Sequence, residues 1–153
     1  MALFRKSRQA EPPALTRDGR WTVSEGAHGG RPLILRFNEE AEAAGKPAWP
    51  LRVGVAVRCR APQSNGFPGA DDLAPLTLIK DTIEGSVEGN RGVLAFVVTT
   101  AGMREFVSYV DSAETAASVR KAARDAASDY EIQGYSEPDP AWAAYEGFRP
   151  GQR

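Results

Sequence analysis

Residues 51–60 read Leu-Arg-Val-Gly-Val-Ala-Val-Arg-Cys-Arg. In an extended chain successive side chains point to opposite sides. Leu51, Val53, Val55, Val57 and Cys59 therefore share one face, and Arg52, Gly54, Ala56, Arg58 and Arg60 share the other. The pattern predicts a strand with one face in a core and the other at least partly wet. Downstream, Pro62, Asn65, Gly66, Pro68 and Gly69 mark a loop over 61–69. Asp71 or Asp72 then caps a helix whose apolar stripe is Leu73, Leu76, Ile79, Ile83 and Val87. Pro75 is tolerable in a first turn, and Gly89-Asn90 ends the helix.

Val93 to Thr99 is apolar on both faces and reads as a central strand. Ala101-Gly102 is a tight turn, and Arg104 to Val110 returns antiparallel. Asp111-Ser112-Ala113-Glu114 has the form of a capping box opening a second helix, with Ala116, Val119, Ala123 and Ala127 inward. Tyr130, Ile132 and Gly134 make a last short strand. From Leu51 the order is strand, helix, strand, strand, helix, strand, the split βαβ pattern of a ferredoxin-like α+β sandwich.

Additions flank this unit. Trp21, Val23 and Glu25, a turn at Gly26-Ala27-His28-Gly29-Gly30, and Leu33 to Phe37 predict a β-hairpin over 20–38 that extends the sheet. Glu39 to Ala44 suits one or two helical turns stopped by Gly45. Pro138 to Tyr145 predicts a proline-initiated terminal helix with Trp142 and Tyr145 on one side. Residues 1–19 read as a flexible basic tail, 20–148 as a single α+β domain, and 149–153 as a C-terminal tail.

The chain has 153 residues, enough to bury about two-thirds of its surface around one core without disulfides or metals. Its net charge of -1 argues against a protein that lives on nucleic-acid phosphates. A single cysteine, Cys59, suits a reducing compartment. With no apolar run of membrane-spanning length and no signal-peptide core behind the N-terminal charges, a cytoplasmic location is expected.

Residues able to do chemistry are sparse. His28 and Cys59 are each the only one of their kind. A nucleophilic pair would need both, yet one lies in a hairpin turn and the other continues a buried alternation. A structural metal site needs about four Cys, His or carboxylate ligands, and no such cluster is spelled out. Asp71, Asp72, Asp81 and Glu84 have sufficient employment as helix caps and a polar helix face. The returning strand Arg104 to Val110 has Glu105 where an RNA-recognition strand wants glycine, so base stacking on the sheet is not expected. Neither cofactor nor metal is anticipated.

Several local strings resemble a known family. They are Trp21 to Asn38, Pro50 before the valine strand, Asn65-Gly66-Phe67-Pro68, Gly102-Met103-Arg104-Glu105-Phe106 with Tyr109, and Asp139-Pro140-Ala141-Trp142-Ala143-Ala144-Tyr145. Together they are similar to bacterial domains of unknown function, family 695, over about residues 20–148. The resemblance implies a fold like that of the ribonuclease E inhibitor B proteins, small ferredoxin-like regulators that act by binding protein. It implies no catalytic residues. The expectation is a non-catalytic, cytosolic binding or regulatory module that contacts another protein through an exposed sheet face or edge. Arg52, Arg58, Arg60, Arg104 and Tyr109 are the expected binding residues. The alternatives are a small enzyme or small-molecule binder using the 61–72 loop region with Asp71, Arg104 or Glu105, and a regulator linked to RNA or a ribonuclease.

Overall fold

The computed structural model describes residues 4–6, 14–16 and 19–151. Its centre is a sheet of six antiparallel strands, and β5 (Leu51–Arg58) is the strand whose alternation was legible. With β3 (Gly19–His28), β4 (Arg31–Asn38), β6 (Gly92–Thr100), β7 (Met103–Val110) and β8 (Ile132–Pro138), the spatial order is β3-β4-β6-β7-β5-β8. Two short strands, β1 (Phe4–Lys6) and β2 (Ala14–Thr16), lie antiparallel along β3. The remainder of the predicted basic tail lies outside the described residues.

Helices α2 (Ala70–Ser86) and α3 (Ala113–Ala126) cover one face of the sheet. Val53, Val55 and Val57 meet Leu76, Ile79, Ile83 and Val119 there, all within 1% of full burial. Each such side chain contributes about 1.5–3 kcal/mol by leaving water. The opposite face holds a second core in which α1 (Ala41–Gly45) and α4 (Ala143–Phe148) pack on β4, β6 and β7. A register shift between Leu94 and Phe96 lets β6 serve both cores, with Leu94 and Val97 facing the helices and Ala95 and Phe96 facing α4.

The boundaries differ from the sequence reading in ways that follow from local geometry. The hairpin turn is Gly29-Gly30 alone, both at positive φ (61° and 80°), which suits a two-residue turn matched to strand twist. Gly26 and Ala27 consequently stay in the ladder, opposite Leu33 and Pro32. The N-cap of α2 is Gly69 rather than an aspartate, because Asp72 sits one turn inside and accepts from the Gly69 N–H (3.3 Å). Leu73 lies at the stripe's edge and is 52% exposed. Ser112, not Asp111, caps α3, its Oγ accepting from Thr115 N–H at 3.1 Å. The predicted proline-initiated helix starts later, at Ala143, since Pro138 ends β8 and Trp142 adopts a left-handed conformation (φ 58°, ψ 42°). Arg149, in the predicted C-terminal tail, pairs with Glu42 and Glu146.

Among the described residues two buried hydroxyls, those of Ser24 and Ser108, make no hydrogen bond. Ser108 on β7 is 1% exposed inside the helix-side layer, and its Oγ makes no hydrogen bond. An unsatisfied buried hydroxyl costs about 1–3 kcal/mol. Ser108→Ala is expected to stabilise the chain by about 1 kcal/mol, read as a higher urea midpoint at unchanged m-value; a lower midpoint would mean the hydroxyl is used.

Candidate interaction surface

The face opposite α2 and α3 divides into a covered and an uncovered half. In the covered half Trp142 stacks on Tyr109 with ring centroids 4.0 Å apart, and Tyr145 stacks on Phe37 at 4.4 Å. The Trp142 indole N–H donates to the Trp49 carbonyl (2.9 Å), and the Tyr145 hydroxyl donates to the Asn38 carbonyl (2.7 Å). Asp139 anchors the segment. Its carboxylate accepts from Tyr109 Oη–H (2.7 Å), Arg52 Nη1–H (2.8 Å) and the N–H groups of Ala143 (2.7 Å) and Ala144 (3.2 Å). Burial alone would raise the Asp139 pKa, but these four donors outweigh it and hold the group below the usual carboxylate range.

Tyr109 therefore corrects the sequence expectation of a contact residue. It is fully buried beneath Trp142, because the aromatic pair Trp142 and Tyr145 docks the terminal helix over this part of the sheet. Burial first, then the bond to Asp139, raises the Tyr109 pKa above its ordinary value.

None of the second core's buried residues comes from β5 or β8, and that half of the face stays open. Tyr135 on β8 lies flat against Gly54 of β5, so closely that a methyl group at Gly54 would overlap the ring. Its hydroxyl donates to Glu105 of β7. The break in the valine strand's outer row at Gly54 was the sequence signal for this contact, and it was not read as one. Beside it Arg52 bridges Glu137 (2.6 Å) and Asp139 (2.8 Å), and Arg58 pairs with Glu131 (3.2 Å). Exposed Gln133 and half-buried Met103 border the same surface.

Of the expected binding residues, Arg52, Arg58 and Arg60 each pair with a carboxylate. Arg60 lies beyond the end of β5, pairs with Asp129 (2.6 Å) and stacks over Tyr130 at 5.8 Å. Arg104 is on the other face, opposite Val57 and Thr99, and does not join Arg52 and Arg58. Arg104 and Glu105, adjacent in sequence, consequently point to opposite sides of the sheet. In the 61–72 region the polar groups bond inward. Asp72 is fully buried and accepts from Arg60 N–H (3.0 Å), Ala61 N–H (3.1 Å), Gly69 N–H (3.3 Å) and Tyr130 Oη–H (2.7 Å). Asp71 is exposed.

His28 ends β3, and Cys59 follows β5; strands β4, β6 and β7 lie between them. The pair does not meet. Burial first, then the Asp72 charge, raises the Cys59 pKa, so the thiol is not activated. Burial and the bond to Asp72 push Tyr130 up to about 12, and burial pushes Tyr145 up to about 12. Among the described residues no group of three His, Cys, Asp or Glu is placed to hold a metal ion, and no helix is long and apolar enough to cross a membrane.

A family model described as a family of unknown function (DUF695) matches residues 19–148. No curated protein matches the chain.

Proposed function

The chain belongs to the DUF695 family, and on that premise we propose that it is a non-catalytic binding module acting through protein–protein contact. The contact surface is the open half of the sheet formed by β5, β7 and β8. The observation that carries this reading is the division of that face: α4 seals the aromatic half, while Arg58, Gln133 and Glu137 stay exposed and Tyr135 half-buried on the other half. Alternating charges there, Arg52 with Glu137 and Arg58 with Glu131, give orientation and specificity more than affinity. The buried aspartates move down and the tyrosines up, away from neutral pH in both cases. We further read residues 51–138 as ferredoxin-like, supported by the strand order β8-β5-β7-β6, each antiparallel to its neighbour.

The test begins with a tagged full-length chain used to capture a partner from native lysate. The identified partner is then purified and its affinity measured. Arg58→Glu is expected to weaken binding about tenfold, or about 1.4 kcal/mol, at an unchanged melting temperature, since an exposed pair contributes little to folding. Lys121→Glu, on the outer side of α3, serves as the control. Equal affinity in both variants removes this face from the proposal.

A further inference from the structure

Two half-buried arginines on the helix-side face of the sheet stand apart from the chain's other half-buried cations. Lys46, Arg52, Lys80 and Arg149 each have a carboxylate within 4.0 Å, and Arg120 lies along β8 with its guanidinium on Ser136 Oγ (3.0 Å). Arg36 and Arg104 have none among the described residues. Arg36 on β4 lies opposite Val97 of β6, and Arg104 on β7 lies opposite Thr99 of β6. Both therefore flank β6 on the same face, two residues apart along it. Arg104 Nε–H donates to Thr99 Oγ1 (2.8 Å), which orients the guanidinium, and among the described residues its terminal nitrogens have no protein acceptor. Glu25 lies on the same face across from Ile34, is exposed, and pairs with neither arginine.

The sheet is wider than its helical cover. α2 reaches β6, and Trp21 at one end of β3 joins the helix-side core, while Val23, Ile34 and Arg36 farther along β3 and β4 are only half-buried. Both arginines sit on the helix-side face on either side of β6, near the edge of the helical cover. Desolvation by burial chiefly lowers the Arg104 pKa; the Cys59 thiol opposes the shift, and the Arg36 charge adds to it by less. Two half-buried guanidinium groups on one face, with no carboxylate partner among the described residues, cost stability unless an anion joins them. Arginine's fork geometry matches the oxygens of a phosphoryl group, and a dianion balances both charges.

We propose that Arg36 and Arg104, with Arg104 oriented by Thr99, form a binding site for a dianionic phosphoryl group of a small ligand on the helix side of the sheet. The site is independent of the protein-contact surface, which lies on the opposite face. Calorimetric titration of the full chain with pyrophosphate at low ionic strength tests it. Saturable binding is expected, weakened at least about tenfold by Arg36→Gln and by Arg104→Gln, a loss typical of one charge-assisted contact. Arg58→Gln, which removes an arginine already paired with Glu131, is expected to bind as the parent does. Without pyrophosphate, Arg36→Gln is expected to melt at or above the parent temperature, because it removes a repulsion and no bond. Absence of pyrophosphate binding, equal binding by all three variants, or a lower melting temperature for unliganded Arg36→Gln would each overturn the site.

Discussion

Trp142→Ala is expected to lower the unfolding free energy by about 3–5 kcal/mol, the cost of deleting a fully buried large aromatic. The indole is completely inaccessible, stacks on Tyr109 and meets Tyr145 edge-on at 5.2 Å. Its removal leaves a cavity over the sheet and strips the Trp49 carbonyl of its donor. For a chain of this length the loss corresponds to roughly 10 °C in melting temperature. The backbone adds a second readout. Trp142 holds left-handed dihedrals that cost a non-glycine residue roughly 1–2 kcal/mol. Trp142→Gly should thus be less destabilised than Trp142→Ala, though it removes more atoms. Chemical denaturation of both variants checks the order. A loss below about 1 kcal/mol for the alanine variant would mean that α4 does not seal the aromatic half.

The next largest effect belongs to the two aspartates that gather donors. Asp72→Asn presents one acceptor oxygen and an NH2 group to four donors, and an expected loss of about 2–4 kcal/mol follows from the donors left unmatched. The same geometry sets the acid behaviour. Burial raises the Asp72 pKa, but the bonds from Tyr130, Arg60, Ala61 and Gly69 prevail, and the native value lies below the unfolded one; Asp139 behaves likewise. In such a case the unfolded chain binds a proton first as pH falls. The contribution is complete above the ordinary carboxylate value near 4 and disappears as pH drops through the native value. Urea midpoints measured from pH 7 to pH 2 should therefore decline below about pH 4 in the parent. The Asp72→Asn curve should start lower and fall less steeply. Parallel curves would place the acid sensitivity elsewhere.

How far the sequence could be read follows from what alternation does and does not encode. The valine row of β5 and the inner alanines of α3 announced their burial because period two and period 3.6 are visible in one segment. Strand content and sheet extension by the hairpin followed. The partners of Arg52 did not, since Glu137 and Asp139 arrive on a strand far along the chain, and nothing near Arg52 hints at them. The arginines of that row were accordingly expected as binding residues, with their carboxylate partners not visible in the sequence. Asp139 sits between two prolines and looks like loop punctuation, yet it ties β5, β7 and α4 together. Arg36 and Arg104 lie far apart in sequence, and they share a face only because β4 and β7 flank one strand.

The position of β5 has a bearing on how the chain is made. Both of its neighbours, β7 and β8, come later in the sequence. Translation proceeds at about 5–20 residues per second, so a few seconds separate the emergence of Arg58 from that of Met103. Throughout that interval the nascent chain displays Val53, Val55 and Val57 with neither edge paired. The strand that organises the finished sheet is thus the segment with the longest wait for company, and the one on which a holdase at the ribosome exit would have most to protect.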